Sequence, residues 1–229
     1  MLTAIALHAT AVALRGAAIG AVPLSSMYEF ITACALAAAV SYLVLIRLRR
    51  EARVLGLYVA AGVAATLGSA MTGLYTQAGP LIPALRSAWL AIHVTSAVAA
   101  SGAFTLGAIA STLFLRAEHR GTVHGLGSAQ LDKLARGLHS FAFPVWTFAV
   151  IAGAIWADSA WGRYWGWDPK EVWAFITWVV YAAYLHARAT KGWNSKRTAT
   201  IAIAAYACLI FNLVGVNLLF TSLHSYSGL

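Results

Sequence analysis

The sequence contains few charged residues and very few acidic ones. Only 10% of its 229 residues are charged and 7 are acidic, whereas 61% are hydrophobic. The mean hydropathy is +0.74. A water-soluble globular protein does not expose so little charge. The composition therefore predicts an all-α protein, a polytopic integral membrane protein built as a helical bundle.

Cysteine is also scarce. Cys34 and Cys208 are the two cysteines, and both lie within apolar segments without a Cys-x-x-Cys spacing. This pattern excludes a disulfide scaffold and a dithiol relay. The chain also lacks Cys-x-x-Cys-His, the pattern to which haem is attached covalently, so it is not itself a c-type cytochrome.

Apolar segments long enough to cross a bilayer, at about 20 residues each, predict about seven transmembrane helices. No internal repeat or low-complexity linker separates these segments, so we expect residues 1–229 to form a single membrane domain. The predicted spans are residues 2–22, 27–46, 54–75, 89–115, 138–157, 172–187 and 199–220.

The net charge of +9 comes mainly from basic residues grouped in the short loops at 47–53, 116–136 and 188–197. In membrane proteins, loops rich in Lys and Arg stay on the cytoplasmic side. We therefore expect a cytoplasmic (inner) membrane protein with its N-terminus inside, its C-terminus and the loop at 157–173 outside, and no nucleic acid partner. No Lys or Arg precedes the first apolar segment, which indicates a membrane helix rather than a signal peptide.

The loop at 157–173 combines aromatic rings with charge. Its ring faces can stack on a conjugated macrocycle, while Arg163 and Lys170 can meet the carboxylates of that macrocycle at the water boundary. Haem is the ligand that this combination predicts. Asp168 is also expected to cap the following helix, with Pro169 at its first position. The tryptophans assigned to the site are Trp161, Trp165, Trp167 and Trp173, whereas Trp89, Trp156 and Trp193 are interpreted as interfacial anchors.

Histidine is costly inside a bilayer unless it has a partner or a task, and imidazole is a normal ligand of haem iron. His93 starts the fourth predicted helix and His224 closes the seventh, both at the outer boundary. A haem gripped between them would lie over the tryptophan-rich loop. His186 lies about 20 Å from Trp173 along the sixth helix. It can therefore serve only an inner haem site. An interfacial histidine without a ligand remains the alternative for each, and His139 is a further candidate for the inner site.

The residues 161–173, with the ending Asp168-Pro169-Lys170-Glu171, resemble the WWD domain of cytochrome c assembly proteins. The continuation at 176–178 and 184–188 resembles the CcsA (ResC) branch of that family. The resemblance implies that two outward-facing histidines, matched by His93 and His224, ligate haem iron beside this WWD loop. It also implies that His186 corresponds to the membrane histidine that receives haem from the cytoplasmic side. Family members commonly carry further sequence before the first helix.

The resemblance further implies a role in cytochrome c biogenesis. Haem b would be bound transiently and non-covalently, moved to the outer face and presented for thioether attachment. The chain would be a subunit of a membrane holocytochrome c synthase of the cytochrome c haem lyase type, which contributes haem positioning and no catalytic side chain. The implied partners are a ResB-like membrane subunit with a large outer domain, apocytochrome c and thiol-reducing proteins.

Two other haem-binding functions remain open at this point, and so does a transporter without haem, which would leave both outer histidines and the WWD loop unexplained. One is a CcmC-like haem loader that passes haem to a carrier protein, although the Pro169-Lys170-Glu171 ending favours the CcsA branch. The other is a resident b-type haem subunit that transfers electrons. That function requires two pairs of axial ligands stacked across the membrane, and the sequence offers one complete pair.

Overall fold

The computed structural model describes residues 1–79 and 85–224 of the chain. It is 81% helical with almost no strand, which confirms the predicted all-α helical bundle. In chain order the helices are α1 (Leu2–Ile19), α2 (Met27–Leu48), a 3₁₀ turn (Arg50–Leu55), α3 (Gly56–Gly73), α4 (Ala88–Arg120), α5 (Ser128–Trp161), α6 (Pro169–Ala189), α7 (Ser195–Ile210), a π-helical turn (Phe211–Gly215) and α8 (Val216–Leu219).

Short polar side chains start several of these helices. Ser26 accepts a hydrogen bond from the backbone N–H of Glu29 at 3.2 Å, and Asn194 accepts one from Lys196 at 2.8 Å. Asp168 accepts from Lys170 at 3.0 Å, and Pro169 occupies the first position of α6. Each cap satisfies a backbone donor that has no partner within its helix. The predicted cap at Asp168 is therefore confirmed.

Six helical segments of the described chain are long and apolar enough to cross a membrane. Helix α6 is not among them, because its ends carry polar and charged side chains. Its 21 residues nevertheless extend over about 30 Å, the thickness of the hydrocarbon layer. At one end Lys170 contacts Asn217 of α8, and at the other Arg188 pairs with Asp132 of α5 at 2.7 Å. Helix α6 therefore extends from α8 to the first turns of α5, and it packs beside α5 and α7.

Helices α4 and α5 are longer than the sequence predicts. The basic residues at 116–136 were expected to lie in a short loop, and that prediction is wrong for most of the segment. Most of this segment is helical, and a two-stranded turn, Thr122–Val123 paired with Leu126–Gly127, closes the hairpin. Exposed charged side chains do not end a helix, whereas the positive φ angle of Gly121, the residue that follows α4, does. With 33 and 34 residues, both helices reach about 50 Å.

Small residues allow the central helices to pack closely. A Cβ atom at Gly102 of α4 would lie 2.8 Å from the backbone carbon of Ala37 in α2. Such close approach is typical of membrane helices, which gain packing contacts when side chains are small. Helix α1 differs, because none of its residues is buried. An ion pair of 2.9 Å between Arg15 and Glu29 links it to α2.

Candidate functional site

A cavity of about 170 Å³ lies where α2, α4 and α6 begin and α5 and α8 end. It brings together four residues that the sequence assigns to the haem site, namely His93, Trp165, Lys170 and His224. Its volume is below the range of about 300–1,000 Å³ typical of ligand pockets. In this conformation the cavity is too small to enclose a whole macrocycle.

His93 is held against α5 by a hydrogen bond and by a glycine. Its Nδ1 lies 2.7 Å from the carbonyl oxygen of Ala149. A carbonyl can only accept, so Nδ1 carries the proton and Nε2 is the ring nitrogen left to bind iron. A Cβ atom at Gly153 would lie 2.6 Å from Nδ1. Gly153 thus provides the space in which the imidazole packs.

His224 occupies a turn beyond the helix, so the prediction that it closes the seventh helix is wrong. The helix ends at Leu219, because Phe220 adopts an extended backbone conformation. Asp168 fixes His224 instead: its Oδ1 accepts from Nδ1 of the imidazole at 3.1 Å, and its Oδ2 accepts from the backbone N–H of Leu223 at 2.9 Å. This carboxylate–histidine pair also leaves Nε2 as the ring nitrogen that can serve as a metal ligand.

The hydrogen bonds at Asp168 keep its carboxyl group ionised. Burial alone would raise the pKa of Asp168, but hydrogen bonds from His224, Leu223 and Lys170 outweigh it and lower the pKa below its ordinary value. A negatively charged Asp168 is a strong acceptor, which favours the Nδ1-protonated form of His224. The residue therefore both caps α6 and orients a candidate iron ligand.

Trp156 forms a wall that both imidazoles contact. Its ring lies parallel to that of His93, with centroids 6.3 Å apart, and edge-on to His224 at 5.8 Å. Trp161 adds a second ring, 4.9 Å from His224. The interpretation of Trp156 as an interfacial anchor is wrong, since only 2% of it is exposed.

The WWD loop is shorter than its predicted bounds of 157–173, because α5 extends to Trp161 and α6 starts at Pro169. Within the non-helical part, Trp165 lines the cavity. Trp167 has a positive φ of 59° and stands edge-on to Trp165, with centroids 5.7 Å apart. It is 69% exposed. The loop thus presents one ring to the cavity and one to the surroundings.

Trp173 and Arg163 lie outside the cavity lining. Trp173 packs on Phe211 of the π-helical turn, with centroids 4.3 Å apart. The exposed Arg163 folds back over Gly166, where an added Cβ would overlap its guanidinium group. Lys170 was expected, like Arg163, to lie at the water boundary. It lines the cavity instead of the water boundary, with Nζ 2.5 Å from the Oδ1 of Asn217.

The two inner histidines face different directions. His186 is exposed, whereas its neighbours Tyr184 and Ala187 on α6 are buried, so the His186 side chain points away from the bundle. His139 of α5 is fully buried and packs edge-on against Tyr184 at 5.0 Å. The two residues therefore lie on opposite sides of α6. This arrangement argues against His139 as the second ligand beside His186.

The chain matches a known protein family over a range that includes the whole candidate site. A family described as "Cytochrome C assembly protein" matches residues 24–224, which include all three candidate histidine ligands. The chain belongs to the cytochrome c assembly protein family. The family recognised from the sequence motifs is thereby confirmed. Together with its apolar helices, this membership indicates a multi-pass membrane protein.

Similar proteins of the family carry the name cytochrome c biogenesis protein CcsA. The chain is 33% identical to the CcsA protein of Gloeobacter violaceus, over 90% of the chain and 79% of that protein. It is 43% identical to the CcsA protein of Chlamydomonas reinhardtii, over 66% of the chain and 44% of that protein. For Synechococcus elongatus the identity is 35%, over 73% of the chain and 67% of the protein. The matches thus span from less than half to about four fifths of these relatives.

Proposed function

We propose that this chain acts in cytochrome c biogenesis, where it binds haem, delivers it to the outer face of the membrane and presents it to apocytochrome c. One observation carries the proposal. His93 and His224 lie at the same cavity, each with Nδ1 held by a fixed acceptor. The same ring nitrogen, Nε2, is therefore left on both histidines, as axial ligation of haem iron by two imidazoles requires. Haem b is the substrate in this scheme.

The chain would contribute to thioether formation by positioning haem. Thioether formation adds a thiol across a vinyl group: sulfur bonds to one vinyl carbon and hydrogen to the other, without net oxidation or reduction. A pair of imidazoles with fixed tautomers would hold the macrocycle in place beside the rings of Trp156 and Trp161. Holding two reactants in the required geometry is by itself a large source of rate acceleration. The chain would thus form part of a holocytochrome c synthase.

The cavity end of the bundle would face outward. Of the 16 basic residues in the sequence, those near this end are Arg86, Arg163, Lys170 and Arg15, which pairs with Glu29 in the first turn of α2, whereas the basic loops lie at the opposite end. Loops rich in Lys and Arg favour the cytoplasmic side. The N-terminus would then lie inside the cytoplasmic membrane, and the WWD loop and the C-terminus outside.

His186 would mark the inner haem site. It lies at the opposite end of α6 from the cavity and points away from the bundle. A second iron ligand for that site would therefore come from outside this chain, which fits a ResB-like membrane subunit as the partner. A resident b-type haem would instead need an inner pair of histidines that face each other. His139 and His186 do not meet that requirement, because α6 separates them.

Glycine variants of the two outer histidines test the proposal. We expect His93→Gly and His224→Gly each to reduce the haem content of the purified protein and to stop maturation of a reporter cytochrome c. Added imidazole should restore part of the bound haem, because it can fill the space of the missing ligand. The matched control is His119→Gly, at an exposed position at the far end of α4. Full maturation activity in the double variant would refute the ligand assignment.

A further inference from the structure

Lys170 places a positive charge in the cavity without a negative partner. Its ammonium group has three donors, and one of them contacts the neutral amide oxygen of Asn217. Within residues 1–79 and 85–224, no carboxylate lies at ion-pair distance from Nζ. The oxygens of Asp168 already accept from His224, Leu223 and the backbone N–H of Lys170 itself. A partly buried cation of this kind favours an anionic ligand.

Further polar atoms of the cavity lining also lack hydrogen-bond partners in the described part of the chain. The indole Nε1 atoms of Trp146 and Trp165 are buried without an acceptor, and so is the Oδ1 atom of Asn212 without a donor. An indole N–H can only donate, so both tryptophans require an acceptor. Trp146 and Asn212 are each 3% exposed. Native proteins rarely leave such groups unpaired, and a ligand is one way to satisfy them.

Glu171 does not neutralise this arrangement. Its Oε2 accepts hydrogen bonds from the backbone N–H groups of Gly166 and Asp168, at 2.8 and 3.1 Å. Its Oε1 has no hydrogen-bond partner in the described residues, and no ion pair joins it to Lys170. The cavity lining thus contains an ammonium group and two indole donors, which complement a carboxylate, together with two acceptors without a partner, Oε1 of Glu171 and Oδ1 of Asn212.

We infer that the cavity receives the propionate edge of haem, with Lys170 and Trp165 at one carboxylate and Trp146 and Asn212 at the other. The inference rests on the proposed function and adds the orientation of the substrate. The amide of Asn212 has donors as well as an acceptor, so rotation lets it donate to a carboxylate. The exposed Arg163, which was expected to share this task, takes no part.

This orientation has a direct chemical consequence. The two propionates occupy one edge of haem, and the two vinyl groups lie on the other half of the macrocycle. With the propionates inside, the vinyl groups point to the mouth of the cavity, where the thiols of an apocytochrome would arrive. The small volume of the cavity agrees, because it accommodates an edge and leaves the remainder of the ring outside.

The test compares modified haems with modified protein. Haem and haem dimethyl ester, whose propionates carry no charge, are titrated into the detergent-purified full chain, as wild type and as Lys170→Gln. We expect the wild type to bind haem about tenfold more tightly than the ester, since the ester loses charge-assisted hydrogen bonds. Lys170→Gln should remove most of this preference, because it should lower the affinity for haem and leave the affinity for the ester unchanged. Lys191→Gln, at an exposed position at the other end of α6, should keep it.

One further variant and one further haem derivative make the titration unambiguous. Lys170→Arg preserves the charge and should preserve the preference, so a folding defect in Lys170→Gln does not decide the outcome. A haem with acetyl groups in place of both vinyls should bind the wild type as haem does. Equal binding of haem and ester by the wild type, or loss of affinity only for the acetyl derivative, would overturn the inference. Failure of the wild type to bind any of these haems would refute the proposed function instead.

Discussion

Gly153→Ala tests whether the packing of His93 against α5 determines haem affinity. The added Cβ would lie 2.6 Å from Nδ1 and 2.7 Å from Cε1 of His93. Non-bonded heavy atoms prefer separations of about 3.5–4.0 Å, so the imidazole must move by roughly 1 Å. Such a shift removes the 2.7 Å hydrogen bond to Ala149. The histidine then no longer presents Nε2 from a fixed position.

The expected cost follows from these two changes. A lost hydrogen bond of this kind contributes about 1 kcal/mol, and overpacking costs about 1–3 kcal/mol. If about 2 kcal/mol of this total appears in binding, haem affinity falls about 30-fold. The assay is a titration of the purified protein with haem, followed through the absorption spectrum of the iron. Thermal unfolding of the haem-free protein measures the part that appears in stability.

Gly137→Ala is the matched control. It lies on the same helix, and a Cβ there meets no atom within 4 Å. We expect unchanged haem binding and equal or slightly higher stability, because alanine favours helix by about 1 kcal/mol over glycine. If Gly153→Ala binds haem with wild-type affinity and an unchanged spectrum, the fixed position of His93 does not matter for binding. The account of His93 given above would then be wrong.

Variants at two other positions separate the orientation of haem from its delivery. Asp168→Asn keeps a side chain that caps α6 but removes its charge, so we expect about tenfold weaker haem binding with little change in melting temperature. Asp168→Ala should in addition lose about 1 kcal/mol of stability through the missing cap, and equal haem affinity in all three proteins would contradict the orienting role. His186→Ala should yield protein that lacks haem when isolated from cells, yet binds added haem at the outer histidines in detergent. Normal haem content in the isolated variant would remove the inner site from the scheme.

The sequence predicts the helices of this fold because apolar segments of sufficient length have few alternatives in a membrane. It does not predict their ends equally well. The segment 116–137 is rich in charge, which usually marks a loop in membrane proteins, yet charge on an exposed helix face costs nothing beyond the bilayer. Helix α6 was predicted from its apolar centre. Its position is stabilised by polar contacts at both ends, which link residues distant in the sequence.

The same limit applies to the site. The residue types of His93 and His224 indicate iron ligation, and the structure places both at one cavity. The orienting contacts were not visible in the sequence, because Asp168 and His224 are 56 residues apart, as are His93 and Ala149. Trp156 was assigned to the interface for the same reason, since its burial depends on helices that meet only after folding. Local patterns thus identify the chemistry, and tertiary packing selects the geometry.

The hairpin of α4 and α5 also matters for imaging the protein. Its helices reach about 50 Å, about 20 Å more than a bilayer's hydrocarbon layer, and the tight turn between Val123 and Leu126 joins them. A soluble helical domain fused in place of this turn would continue both helices without a flexible linker. For a chain of 24.2 kDa, such a rigid marker would give electron microscopy a feature for particle alignment. The same two helices carry His93 and Ala149, so the marker would be connected rigidly to the residues at the cavity.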